Sequence, residues 1–417
     1  MVVVLIITLA FSIGMSLYTH DYTKIIAWGI FVYSYFKARK SGEWFNPYYL
    51  FMPTIFSFIL YSSEIGGVFM DDLSIRTRLF ILFGLLAITM GFSFGKRIKR
   101  QPIIIGHLAE NFWLIFFIGL LPTAISYMMF GNIASLDGEE MIDAKENFSL
   151  PVIGQLAYFL PASIVVACKK NNSKLILLAL VFSIFAALLT ISKTALLLTL
   201  VFFIIAISKF KPDITKTKAF RIISRLKFVI IPILIVGMFI YNNNKRHSAR
   251  HNSDMSYVEM SSSSLWGTSN FAQNMFLNYC YFVQPWSNLN YNIENNHSNG
   301  SFGGNSSAQF GKKLGINTHP RKKIQPTFLN THTFLTDYYL DFGFFFGIIV
   351  CFLMGILIYS CYIKFGLSDD PLLISFYILM AYATIMMFFS NHFNNGYLLN
   401  YFITFGLVSL FTRQVAK

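Results

Sequence analysis

Charge is what this chain has least of. Only 12% of its 417 residues are Asp, Glu, Lys or Arg, against 55% hydrophobic and 18% aromatic. A soluble domain carries about 25% charged residues. Half that share, set between long apolar runs, excludes an ordinary soluble globule and implies helices bedded in lipid. Cysteine is sparse too. Cys168, Cys280, Cys351 and Cys361 lie far apart without metal-ligand spacing, and only Cys280 falls in a sizeable loop. That excludes a zinc framework and disulfide stapling. No phosphate-cradling glycine loop and no nucleophile elbow occurs, so nothing supports nucleotide-driven or esterase-type chemistry.

Acidic residues are few, and the net charge is +14. Such a balance often marks a nucleic-acid surface. Here the distribution gives another reason. Roughly 20 of the 33 basic residues fall on alternate connections between apolar runs, as expected of loops kept in the cytoplasm. These connections are "KARK" (37–40), "KRIKR" (96–100), "KKNNSK" (169–174), "KFKPDITKTKAFRIISRLK" (209–227), the 362–370 loop and the tail "TRQVAK". No nucleic-acid partner is expected.

What is present in quantity is apolar sequence. Runs suited to crossing about 30 Å of hydrocarbon lie near Val2–Tyr18, Thr23–Phe36, Phe45–Tyr61, Leu79–Gly95, Asn111–Phe130 and Pro151–Cys168. Others lie near Leu175–Thr190, Thr194–Ile207, Phe228–Tyr241, Phe342–Cys361, Pro371–Phe389 and Tyr397–Phe411. The first has no basic leader region and no small-residue cleavage pattern, so it reads as a span. The expectation is an all-α polytopic membrane protein of about twelve transmembrane helices with both termini cytoplasmic. Residues 1–241 hold helices 1–9, residues 242–341 form a large external loop, and residues 342–417 hold helices 10–12. Within the loop, Phe271, Met275, Tyr279, Phe282 and Trp286 approach helical spacing. That predicts an amphipathic helix lying on the membrane or closing over the core. "NNHSNGSFGGNSS" (295–307) reads as a flexible polar flap.

Several external cations escape the positive-inside bias: Arg76, Arg78, Lys193, Lys245, Arg246, Arg250, Lys312, Lys313, Arg321, Lys322 and Lys323. Charge-assisted hydrogen bonds would let them hold a phosphate or pyrophosphate, although lipid headgroups would satisfy them equally. Lys193 stands apart, in a tight turn between two apolar runs, where desolvating an ammonium calls for an anion or for snorkelling to the interface. External carboxylates such as those of "MDD" (70–72) and "LDGEE" (136–140) read as solvated turns more readily than as a metal site. In "NTHTFLTDYYLDFGFFFG" (330–347), His332, Asp337 and Asp341 lie where the loop returns to the membrane. Asp337 and Asp341 share a helical face, which should turn toward a cavity rather than lipid. Asp341 is expected to cap the following span. Gly343 and Gly347 are expected to let helices approach closely.

Two motifs and the topology together resemble the Wzy-type O-antigen and capsule polymerases, the oligosaccharide repeat-unit polymerases. "ISKTALLL" (191–198) is similar to that family's Ser-Arg/Lys-small-small-apolar start of a span. "NTHTFLTDYYLDFGFFFGIIVCFLMG" (330–355) is similar to its Thr-rich approach followed by Asp-Phe-Gly and two further glycines. "YFVQPWSNLNYNIENN" (281–296) resembles its amphipathic loop helix. The motif match covers only about 50 residues.

The resemblance implies a GT-C-like glycosyltransferase in the bacterial inner membrane. It would join undecaprenyl-pyrophosphate-linked oligosaccharides, as donor and acceptor, at the periplasmic face, with no cofactor and no metal. It also implies membrane lipid as a partner and a chain-length regulator nearby, though no residue specifies one. In this reading Lys193, Arg246, Arg250 and Arg321 bind the substrate pyrophosphate, and His332 and Asp337 are the catalytic candidates for removing the acceptor's proton. Tyr279, Tyr281 and Trp286 stack on sugar rings.

Four other readings remain open. The related O-antigen ligases share the topology, but their His-[Asn/Ser/Gln]-x9-Gly-x-x-Gly pattern is broken here by Thr333 and by Gly347 arriving one residue late. Asp21 in "THDY" keeps a polyprenyl-phosphate-sugar-dependent glycosyltransferase in play. A lipid-linked oligosaccharide flippase fits poorly with spans nearly free of charge. A receptor or scaffold without catalysis would give no reason for Lys193 in its apolar turn.

Overall fold

The structure, a computed structural model, describes residues 21–66, 70–97, 111–130, 156–157, 159–189, 193–216, 270–295, 303–306 and 331–394, with 10, 13, 14 and 300 besides. Every regular element among them is helical. Four are long and apolar enough to cross a membrane: Ile75–Gly95, Phe112–Met129, Phe334–Gly366 and Pro371–Phe388. Four shorter apolar helices accompany them. The runs expected at 228–241 and 397–411, and nearly all of 2–18, lie outside the described residues.

The chain divides into two compact units, each built from separated segments. One draws on Met1–Arg100, Met255–Ile363 and Met380–Asn395, and the other on Gln101–Asp254, Lys364–Leu379 and Gly396–Lys417. The second unit contains α4 (Phe112–Phe130), α5 (Phe159–Lys169), α6 (Ser173–Leu189) and α7 (Lys193–Phe210). Helix α5 is its centre, since ten consecutive residues from Phe159 to Cys168 are buried and α4, α6 and α7 all pack on it. At one end Lys209 Nζ lies 3.6 Å from an Asp369 carboxylate oxygen and donates to the Leu367 carbonyl at 3.2 Å.

The first unit holds α1 (Thr23–Ser41), α2 (Pro47–Leu60), α3 (Ile75–Gly95), α8 (Asn270–Val283), α9 (Pro285–Glu294) and α10 (Phe334–Cys361). Local chemistry sets their ends. Gly42, at φ 72°, stops α1 by the left-handed turn that glycine adopts without steric cost. Asn46 starts α2 by accepting from Tyr48 N–H at 3.1 Å, with Pro47 in the first helical position. Ser74 starts α3 by accepting from Thr77 N–H at 3.2 Å.

Helix α10 is not one rod. Gly343 breaks it at φ 68°, ψ −164°, a conformation open chiefly to glycine. The side chains on either side show how sharply the chain turns. A Cβ added at Gly84 of α3 would lie 2.8 Å from Leu335 Cδ2 and 3.7 Å from Cys351 Sγ. Those two residues would stand about 24 Å apart on a straight helix, so they cannot share one neighbour unless the chain folds back. Ring pairs agree. Phe80 meets Tyr339 at 5.5 Å and Phe344 at 5.2 Å, while Phe94 meets Phe352 at 5.3 Å. Hence α10a (334–342) runs antiparallel to α3, and α10b (344–361) runs parallel to it. The hairpin is closed by Gly347, where a Cβ would lie 3.3 Å from the Tyr338 carbonyl oxygen. What reads in sequence as the approach to a span is a re-entrant helix whose first residues lie alongside the middle of α3.

The glycine expectation is corrected in the same way. Gly343 makes the reversal rather than a close crossing. The tightest crossing pairs Gly91 of α3 with Gly355 of α10b, where a Cβ on Gly91 would meet the Phe352 carbonyl and sit 2.9 Å from Gly355 Cα. Small residues let the two backbones touch.

His392, just after α11 (Pro371–Ile385), is buried with its ring 5.2 Å from that of Tyr382. Burial lowers its pKa from the usual 6.5 to about 4. The unfolded chain therefore binds the proton first as pH falls. The neutral-imidazole contribution to stability is whole above pH 6.5 and is lost between there and about pH 4, to a total of about 3 kcal/mol. Thermal unfolding in detergent, scanned from pH 7.5 to 4.5, should show this acid loss, and His392→Gln should flatten it.

Candidate functional site

Helices α8 and α9 carry the docking groups of the loop, and their polar side chains are stitched to three helix ends of the same unit. Tyr279 hydroxyl donates to the Leu60 carbonyl at 3.0 Å and accepts from Ser62 N–H at 3.2 Å, at the end of α2. Trp286 Nε1 donates to Ser57 Oγ at 3.1 Å, and its ring lies 5.7 Å from that of Phe58. Asn290 accepts from Ser74 N–H at 3.0 Å and donates to the Asp72 carbonyl at 3.3 Å, holding the start of α3. Asn288 Nδ2 donates to the Thr331 carbonyl at 2.5 Å. The amphipathic segment therefore closes over the core and does not rest on a lipid surface. Burial raises the pKa of the Tyr279 hydroxyl and of the Cys280 thiol.

This placement changes the part given to the aromatics. Trp286 is fully buried, so neither face is open to a sugar, and its role is to seat α9. Tyr279 is committed through its hydroxyl. Tyr281 is half-buried, with its ring 6.1 Å from that of Phe389.

The start of α10a is the most polar buried place in the unit. His332 precedes the cap residue Thr333, and Asp337 lies in the first turn, where the helix dipole favours a carboxylate. His332 is 6% exposed and Asp337 1%. Leu335 and Tyr339 face α3. On a helical wheel, Thr333, Thr336 and Asp337 share the opposite side. Thr333 occupies the cap position yet its side chain makes no capping bond. The Oγ1 atoms of Thr331, Thr333 and Thr336 have no hydrogen-bond partner, nor does Oδ1 of Asn292.

Asp341 does not cap a span. Its carboxylate accepts from Asn305 N–H at 2.7 Å, Asn305 Nδ2 at 2.9 Å, Ser306 N–H at 2.6 Å and the Ser306 hydroxyl. The 303–306 turn, expected to belong to a loose flap, is thereby latched two residues ahead of the Gly343 reversal. Asp341→Ala leaves several buried donors without an acceptor and should cost about 3 kcal/mol. A lowered melting temperature, with new protease cuts at 303–306, is the expected reading.

Near the start of α3, Arg78 lies 3.5 Å from an Asp21 carboxylate oxygen. That same oxygen accepts from Thr23 N–H at 3.1 Å. Asp21 is thus engaged in starting α1 and in an ion pair. Lys24, one turn into α1, is 2% exposed. Sequence reasoning passed over this buried lysine because it sits at the edge of an expected span. The one available signal was its position three residues after an aspartate.

Lys193 begins α7, so its ammonium adds to the positive end of the helix dipole. Arg246, Arg250 and Arg321 lie outside the described residues, as does the side chain of Lys193. Also missed were Asn288 and Asn292, whose spacing of four marks one face of α9. Comparison of the chain with protein-family models, curated proteins and solved structures finds no match.

Proposed function

We propose that this protein is a membrane glycosyltransferase that polymerises undecaprenyl-pyrophosphate-linked oligosaccharide repeat units at the periplasmic face of a bacterial inner membrane. About twelve spans, cytoplasmic termini and a large periplasmic loop belong to the same proposal. One observation carries it. His332 and Asp337 stand at the buried start of a re-entrant helix, in the stretch whose residues resemble the repeat-unit polymerases. A buried imidazole and carboxylate beside unpartnered hydroxyls suit the handling of a polyol better than ion conduction or scaffolding.

The chemistry follows from charge. An acceptor hydroxyl attacks the anomeric carbon of the donor glycan, and the bond from that carbon to the pyrophosphate oxygen breaks. Negative charge grows on the leaving pyrophosphate, where Lys193, Arg246, Arg250 and Arg321 would stabilise the transition state more than the ground state. The acceptor's proton passes to Asp337 or His332.

The test is a deletion strain analysed for surface glycan. Loss of polymer with single repeat units still attached to the lipid core supports the reading. Loss of single units as well would point to a flippase or ligase, and an unchanged ladder would remove the proposal.

A further inference from the structure

Helix α9 lies along α10a in the same direction. Asn288 reaches the Thr331 carbonyl at 2.5 Å, and one turn further on the Tyr339 hydroxyl reaches the Ile293 carbonyl at 3.5 Å. This register puts Asn292, four residues beyond Asn288 on the same face, at the level of Thr336. Asn292 donates through Nδ2 to the Asn288 carbonyl at 2.6 Å, which orients its amide and leaves Oδ1 as a pure acceptor without a donor. Thr333, Thr336 and Asn292 are all 0% exposed. Leaving such groups unsatisfied costs about 1–3 kcal/mol apiece. A folded chain that keeps three of them together at a helix start holds them for a ligand.

The groups also say which ligand. A phosphate dianion accepts hydrogen bonds and gives none, so it cannot satisfy Asn292 Oδ1, and Asp337 in the same first turn would repel it. Hydroxyls both donate and accept. We propose that Thr333, Thr336 and the Asn292 carbonyl bind neighbouring hydroxyls of an uncharged sugar ring at the buried start of the re-entrant helix. Only the naming of that ring as the accepting end of the glycan rests on the proposed polymerase activity.

The experiment uses the full chain in lipid nanodiscs and saturation-transfer NMR against methyl glycosides of the common hexoses, deoxyhexoses and N-acetylhexosamines, with inorganic phosphate as competitor. Wild type should transfer saturation to at least one glycoside, and phosphate should not displace it. Thr336→Val should weaken that binding at least tenfold while its melting temperature holds or rises, because the lost hydroxyl had no partner in the fold. Thr336→Ser should restore binding. No transfer from wild type, displacement by phosphate, unaltered binding by Thr336→Val, or a clear fall in its melting temperature would each overturn the assignment. The two proposals fail separately. An intact polymer ladder in the deletion strain with glycoside binding present removes the polymerase and keeps the sugar site, and the converse result does the reverse.

Discussion

Gly355→Leu is expected to abolish the folded protein, seen as loss of the monodisperse peak on size exclusion and of a cooperative thermal transition. A Cβ at this position would meet the Ile88 carbonyl and lie 3.0 Å from Gly91 Cα. The obstacle is backbone, which cannot turn aside as a side-chain tip can. Overpacking against side chains costs about 1–3 kcal/mol. Against a rigid helix axis the cost should exceed that range, a large part of the 5–15 kcal/mol that typically holds a domain. The displacement would also travel. Helix α3 is the rail on which both arms of the α10 hairpin lie, through Leu335 at Gly84 and Tyr339 at Phe80 on one arm and Gly355 at Gly91 on the other. Pushing α10b away therefore unseats the re-entrant arm and, with it, His332 and Asp337. Gly355→Ala should show the same fault in milder form, as a lower melting temperature in a chain that still folds. Wild-type stability in Gly355→Leu would mean that the hairpin does not pack on α3 in this way.

Much of this helical layout was legible before any coordinates. Apolar run length placed α2, α3, α4, α6 and α7 within a few residues of their ends, because lipid imposes length and composition together. Hydropathy has no direction, however. "DFGFFFG" is apolar on both sides of Gly343, so a reversal there reads as one continuous span. Only the shared neighbour Gly84 reveals two arms. The aromatics show the same gap at the level of side chains. Trp286 and Tyr281 look alike as candidate sugar platforms, and the difference lies in Ser57 and Phe58, more than two hundred residues away in sequence, which bury one of them. Asp341 looked like a cap because a carboxylate beside a glycine commonly is one. Its partners, Asn305 and Ser306, sit in a stretch whose composition alone argued for looseness. His332 and Asp337, by contrast, were legible as polar groups that an apolar setting must account for.

Asp337→Asn is expected to remove long glycan almost completely, by about 10²–10⁴-fold in rate, the usual share of a general base. The substitution keeps size and shape while deleting the proton-accepting oxygen. The test complements the deletion strain and, in parallel, follows polymerisation of lipid-linked repeat units by the purified protein. Its melting temperature should stay within a few degrees of wild type, which separates a lost base from a lost fold. His332→Gln provides the comparison. If the two groups act as one relay, the double variant should be scarcely slower than the worse single one, because residues that work as a unit are strongly non-additive. If they act independently, the losses should multiply. A normal ladder from Asp337→Asn would leave the carboxylate with only its place in the first turn of α10a, where it meets the helix dipole. The acceptor's proton would then have to leave by way of His332 or water.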